Sequence, residues 1–171
     1  MNIIRENDGT LIVEDAQILP GSFRNFSGAP DQFNPNGGKR YFHFVIDDPE
    51  AAQQMREDGW NVKIRPPREE GDSPFCYLKV AIAFPRPGTK ARPLDIGMFK
   101  PNGANKLDED TIGLLDGAFI TKANISIRPY HWESAGNTGI AAYCQVLHAW
   151  VKEEHFASDY AAYESGEDNP F

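Results

Sequence analysis

Four histidines, two cysteines and a surplus of carboxylates are the residues here that could do chemistry, and their spacing does not assemble any. His131-Trp132-Glu133 has the H-x-E layout in which a histidine holds zinc and a glutamate moves protons, but that chemistry also needs a P-C-x-x-C segment, which the chain lacks. His43, His131, His148 and His155 show no HExxH or other metal-ligand spacing. Cys76 and Cys144 are far apart, without a CxxC pair, and read as buried, reduced thiols. No GxSxG or GxGxxG occurs, and Phe33 stands where a P-loop needs its first glycine. Asp47-Asp48 and Glu14-Asp15 sit where helix capping and turns explain them. The reading is a protein that is not an enzyme, with no cofactor and no metal. An Asp/Glu metal-dependent nuclease is a lesser alternative.

A different constellation is present: cations alternating with rings. In an extended strand successive side chains point to opposite faces. In Asn61–Arg65, Val62 and Ile64 share one face, and Lys63 and Arg65 the other. In Phe75–Phe84, Cys76, Leu78, Val80 and Ile82 point inward, leaving Tyr77 and Lys79 opposite. In Phe119–Tyr130, Ile125 and Ile127 point inward, while Lys122, Asn124, Ser126, Arg128 and Tyr130 line the outer face. Two loops add to this surface. FRNFSGAPDQFNPNGGKRY supplies Arg24, Phe26, Lys39, Arg40 and Tyr41, and RPYHWESAGNTG supplies Trp132. Cations meet phosphates and rings stack on unpaired bases, so the pattern suits single-stranded nucleic acid read without sequence preference.

The elements that must hold these residues are mostly strands. Leu11–Leu19 reads as a strand with a kink or bulge. Arg40–Asp47 and Gly139–Val151 are rich in β-branched and aromatic residues, as strands prefer. Two short helices interrupt them. In DDPEAAQQMREDG, Asp48 is a good N-cap, Pro49 occupies the first turn and Gly59 stops the helix. In LDEDTIGLLDG, Asp108 or Asp110 caps a turn or two ending at Gly117. Irregularly spaced strands with short helical plugs predict a mainly β fold, a small antiparallel barrel, with a sandwich as the alternative.

The formal charge of −8 argues against nucleic acid until its distribution is considered. Of 25 acids, six lie in residues 153–171, where no Lys or Arg occurs, leaving 19 acids against 17 bases in residues 1–152. The chain therefore divides into a nearly neutral binding domain, 1–152, and an acidic tail, 153–171, expected to be disordered. No apolar stretch is long enough to span a membrane, and MNIIRENDGT lacks the apolar core of a secretory signal, which predicts a cytoplasmic protein.

The segments RNFSG, GGKRYFHFVID, DGWNVKIRPPREEGD, IRPYHWE and TGIAAYCQVLHAWV together resemble a family of tailed-bacteriophage single-stranded-DNA-binding proteins, from about Arg24 to Val151. The resemblance implies an oligonucleotide-binding (OB) barrel that coats single strands during phage replication, recombination or repair. The ending GEDNPF is similar to that of bacterial single-stranded-DNA-binding proteins, which close an acidic stretch with Pro-Phe. This implies that Glu167, Asp168, Pro170 and Phe171 contact replication or recombination partners, although there are fewer consecutive acids and Asn169 precedes the proline. A non-catalytic protein–protein or assembly barrel is the alternative from another class, and homo-oligomerisation is left open.

Overall fold

The structure is a computed structural model, and it describes residues 1–32 and 34–152. In chain order the elements are β1 (Asn2–Arg5), β2 (Leu11–Ala16), β3 (Arg24–Asn25), β4 (Arg40–Ile46), α1 (Pro49–Asp58), β5 (Lys63–Arg65), β6 (Phe75–Ile82), β7 (Asp95–Lys100), β8 (Gly103–Leu107), β9 (Phe119–Ser134) and β10 (Asn137–Lys152). Single 3-10 turns occupy Gly21–Phe23 and Ile112–Leu115.

The kink expected in Leu11–Leu19 is what turns the sheet back on itself. Asp15 has φ 54, and the β2–β9 register shifts between Val13 and Ala16. A bulge of this kind bends a strand and sharpens its twist. Up to Ala16, on both sides of the bulge, β2 pairs with β9. Beyond Ala16, the chain bonds to β4 through Gln17 O–Val45 N (3.0 Å), Leu19 N–His43 O (2.9 Å) and an Ile18–Phe44 bridge. β4 then pairs antiparallel with β6, β6 parallel with β10, and β10 antiparallel with β9. The path returns to β2, forming a partly open barrel with the strand order of an OB fold. The parallel contact, Val80–Ala142 and Ala81–Tyr143, departs from a purely antiparallel barrel.

The inward rows close the core: Phe42 and Phe44 from β4, Leu78 and Val80 from β6, Ile125 and Ile127 from β9, and Leu147 from β10 are all buried. Asp48 caps α1 by accepting from Glu50 N, Gly59 ends it at φ 111, and the helix turns Ala52 and Met55 into the core. The expected second helix is the 3-10 turn, which plugs the core with Ile112 and Leu115. Asp108 caps its approach, accepting from Asp110 N and Thr111 N. Both cysteines are buried and free.

Two of the proposed binding residues belong to this interior. Phe26 is fully buried and stacks on Phe42 at 5.6 Å. The Arg24 guanidinium is spent on carbonyls, donating to Leu19 O (2.9 Å), Leu115 O (3.0 Å) and Ala118 O (2.9 Å). It ties the loop after β2 to the 3-10 plug. Neither side chain presents itself to solvent, which corrects their reading as surface contacts. The expected disorder of residues 153–171, and the roles given to Glu167, Asp168, Pro170 and Phe171, fall outside the described residues.

Candidate nucleic-acid interface

β4 and β6 lie side by side with Tyr41 opposite Ala81, His43 opposite Lys79 and Val45 opposite Tyr77. Because Phe42, Phe44, Leu78 and Val80 take the inward positions, Tyr41, His43, Tyr77 and Lys79 share the outer face. Phe23, from the loop before β3, lays its ring edge-on to His43 (5.4 Å) and Tyr77 (5.5 Å). Arg65 of β5 sets its guanidinium 5.3 Å from the Tyr77 ring centre and 5.9 Å from that of Phe23. Exposed Lys63 shares the outward row of β5 with Arg65. Phe75 continues the ring series 5.4 Å from Tyr77. Phe23, Tyr41, His43, Arg65, Tyr77 and Lys79 line a cleft of about 330 Å³.

The sequence pattern expected Tyr41 and Tyr77 as open platforms. They do sit on the outward rows, but at 6% and 7% exposure they form the floor and wall of a cleft. Among the described residues, the rings open to solvent on this side are Phe75 (38%), Tyr130 (57%) and Trp132 (38%).

A second cavity of about 750 Å³ shares Tyr41 and Lys79 with the cleft, and adds Lys39, Arg40, Phe84, Arg86, Glu109 and Tyr143. Arg40 lies over the Phe84 ring (5.4 Å) with its Nη1 3.6 Å from Glu109 Oε1, while its Nε is buried without a hydrogen-bond partner. Among the described residues, four cations and one carboxylate line this cavity and make it electropositive.

From Tyr143 the surface passes onto the β9–β10 hairpin. Arg128 lies opposite Tyr143 with its guanidinium 5.9 Å from that ring, and Tyr130 meets the same ring edge-on at 5.9 Å. Two residues further on, Trp132 lies opposite Gly139 and its ring crosses the glycine so closely that a Cβ there would sit 2.5 Å from Trp132 Cζ2. The absent side chain lets the indole lie flat on the strand. Near its turn the hairpin is anchored to the residue that caps α1, through Ile140 N–Gly59 O (2.9 Å).

His43 is the titratable group at the centre. Burial pushes its pKa down, Lys79 adds to that, and the hydrogen bond to Phe23 O opposes it. Its Nδ1 lies 2.7 Å from Phe23 O, which fixes the neutral tautomer with the proton on Nδ1. The Tyr41 hydroxyl is pushed up by burial and by its 3.1 Å hydrogen bond to Asp31.

The structure thus gathers Lys39, Arg40, Tyr41, Lys63, Arg65, Tyr77, Lys79, Arg128, Tyr130 and Trp132 on one connected surface. Sequence reasoning missed His43, Phe75 and Tyr143 as parts of it. The alternation in RYFHFVID carried the signal for His43, since it shares a face with Tyr41 once Phe42 and Phe44 are inside. Phe84 and Arg86 come from a loop whose position no local pattern announces.

A partly open barrel of OB topology, with cations and rings interleaved over β4, β6 and the β9–β10 hairpin, defines the class of oligonucleotide-binding barrels. The chain belongs to the family described as "Putative phage ssDNA-binding domain", whose profile matches residues 2–169. Among solved structures it is similar to the single-stranded DNA-binding protein from bacteriophage Enc34 in complex with ssDNA, with 12% identity over 91% of this chain and 94% of that one, and a TM-score of 0.52. It is also similar to the same phage's protein without that description of a ligand, at 9% identity over 98% and 100% of the two chains and a TM-score of 0.51. At these identities the likeness is one of fold. No curated protein matches the sequence.

Proposed function

We propose that the chain binds single-stranded DNA without sequence preference and coats it. The observation that carries this reading is that Tyr41 and Lys79 line both cavities, so that rings and cations follow one another from Phe75 and Arg65, through Tyr143, to Arg128 and Tyr130. Cations track the backbone while bases stack on the rings. Family membership supports the reading, and so does the fold shared with phage proteins described as binding single-stranded DNA. In a host cell, coating protects strands exposed during phage replication, recombination or repair. Residues 1–152 act as the binding domain. Residues 153–171, rich in carboxylates, lie over the basic groove when DNA is absent and recruit partner proteins through Glu167, Asp168, Pro170 and Phe171 when DNA displaces them.

The test is a titration of the full chain with single- and double-stranded oligonucleotides of mixed sequence. Single strands are expected to bind in preference, with affinity falling by a log–log slope of about −0.7 for each phosphate neutralised. Salt-independent binding, or no binding, overturns the groove. Deleting residues 166–171 is expected to strengthen DNA binding and abolish partner recruitment. No change in either overturns the tail's role alone.

A further inference from the structure

The outward rows of β9 and β10 do not stop at the groove. Past the Arg128–Tyr143 pair the next outward pairs are Ser126–Val146, Asn124–His148 and Lys122–Trp150. The six steps from Arg128 to Lys122 span about 20 Å of strand. At the near end of this run, a cavity of about 540 Å³ beside Ser126 and Arg128 holds Lys90 and Arg92 from the loop between β6 and β7. At the far end the combination found in the groove recurs. Trp150 stacks on Phe99 of β7 with centroids 4.8 Å apart and planes at 17°, and Lys122 Nζ stands 5.0 Å from the Trp150 ring centre. Beside them Phe119 is 62% exposed, with Lys152 Nζ 5.9 Å from its centre.

These features share one chemistry. A covered tryptophan stack needs no lysine over it for packing, and a phenylalanine this exposed contributes little to the core. Cations at intervals along a sheet face, with a free ring among them, match a strand of phosphates and bases. The face is continuous with the groove through Arg128, so a strand leaving the groove meets Lys90 and Arg92 next. Carboxylates are present as well: Glu6 and Asp8 line the same cavity, and Asp15 lies 3.7 Å from Lys122. Exposed ion pairs of that kind are weak, and phosphate oxygens exchange with them readily.

We infer that the outer face of β9 and β10, from Arg128 to Lys122 and Phe119, is a second and weaker track for single-stranded nucleic acid. Phosphates run past Lys90, Arg92 and Lys122, and a base stacks on Phe119. The inference rests on the groove reading and lengthens it: the protein covers more nucleotides than the groove alone accommodates.

The experiment compares the full chain with the variant Lys90→Ala/Arg92→Ala/Lys122→Ala and, separately, with Phe119→Ala. All four positions are exposed and outside the groove, and folding is checked by thermal melting. Each protein is titrated with an oligonucleotide of about 8 nucleotides, within the roughly 4–16 that one OB fold covers, and with one several times longer. The triple variant is expected to bind the short strand like the wild type and the long strand several-fold more weakly. Its salt slope on the long strand should be shallower by about 2, three cations at about 0.7 each. Phe119→Ala is expected to weaken only the long strand. Wild-type affinity and slope on the long strand in both folded variants, with normal short-strand binding, overturn the second track and leave the groove intact. Failure of the wild type to bind either strand overturns the groove reading and the track with it.

Discussion

Lys79 Nζ stands 4.7 Å from the centre of the Tyr41 ring, and the two side chains line both the aromatic cleft and the larger basic cavity. Lys79 is exposed and the ring beneath it is buried, so the charge is held over an apolar floor at the junction of the two cavities. A cation at that point meets the backbone of any strand that crosses from one cavity to the other. Lys79→Ala is therefore expected to weaken single-strand binding and to flatten the salt slope by about 0.7, one phosphate's worth. Titration at several salt concentrations checks this. A wild-type slope would place the strand elsewhere.

The rings of the groove separate by exposure into those that can only stack and those that also hold the fold. Tyr130 is 57% exposed, so Tyr130→Ala is expected to lose about 1–3 kcal/mol of binding while its melting temperature stays close to wild type. Tyr77 is buried against Phe23, Phe75 and Arg65, so Tyr77→Ala is expected to lower both affinity and melting temperature. Running the two measurements side by side distinguishes a stacking ring from a scaffold ring. Equal behaviour of the two variants would contradict the separation.

Arg24 has a testable role of another kind. Its guanidinium satisfies the carbonyls of Leu19, Leu115 and Ala118, and removing it leaves buried acceptors unpaired at a cost of about 1–3 kcal/mol. Arg24→Ala is expected to lower stability in denaturant titrations. At a temperature where the variant remains folded, its salt slope on DNA should match the wild type. A shallower slope would return Arg24 to the interface.

How much of this was legible in the sequence follows from which signals are local. Alternation placed Cys76, Leu78, Val80 and Ile82 inside and Lys79 outside, because a strand's faces follow from its period alone. The cap at Asp48 and the stop at Gly59 were legible for the same reason: both are satisfied within one turn of chain. Arg24 and Phe26 were not, since their environment is made by residues about ninety positions away, Leu115 and Ala118 for one and the Asp116 carboxylate accepting from Phe26 N for the other. The β7–β8 hairpin was also missed. Its strands are short, Gly97 interrupts the first, and four of the five residues of β8 face solvent, so neither strand shows an apolar period. A Cβ at position 97 would lie 3.0 Å from Phe99 Cε2, so a larger residue there would have to displace that ring. The pairing of β6 with β10 depends on the bulge at Asp15 and on closure of the whole barrel, which no single segment encodes.

Among the described residues, Glu109 is the one carboxylate lining the basic cavity, and its Oε1 is 3.6 Å from Arg40 Nη1. A phosphate arriving at Arg40 has to replace it. The pair is exposed on the glutamate side, so its strength is about 0–1 kcal/mol. Glu109→Gln is accordingly expected to tighten single-strand binding by up to about five-fold at low salt, with the gain fading as salt screens it. Equilibrium titration of the folded variant measures this. A loss of affinity would show that Glu109 instead holds Arg40 in its binding position.

The pH dependence turns on His43. Burial depresses its pKa from 6.5 in the folded chain, whereas the unfolded chain titrates near the ordinary value. Between those two values the unfolded state binds a proton that the folded state does not, so stability falls as pH drops through the window and levels off below the folded pKa. Above about pH 6.5 the imidazole is neutral in both states and contributes no slope. Its Nδ1 proton is already committed to Phe23 O, so protonation adds a charge beside Lys79 among the rings of Phe23, Tyr41 and Tyr77. Melting temperatures from about pH 8 to about pH 5 are expected to decline on the acid side in the wild type, and less steeply in His43→Gln, which cannot take up the proton. The same titration followed by DNA affinity is expected to show no rise in binding from His43 between about pH 8 and pH 6.5, because its charge is absent there. An increase over that interval that disappears in His43→Gln would mean that the histidine is already charged in the groove and contacts phosphate directly.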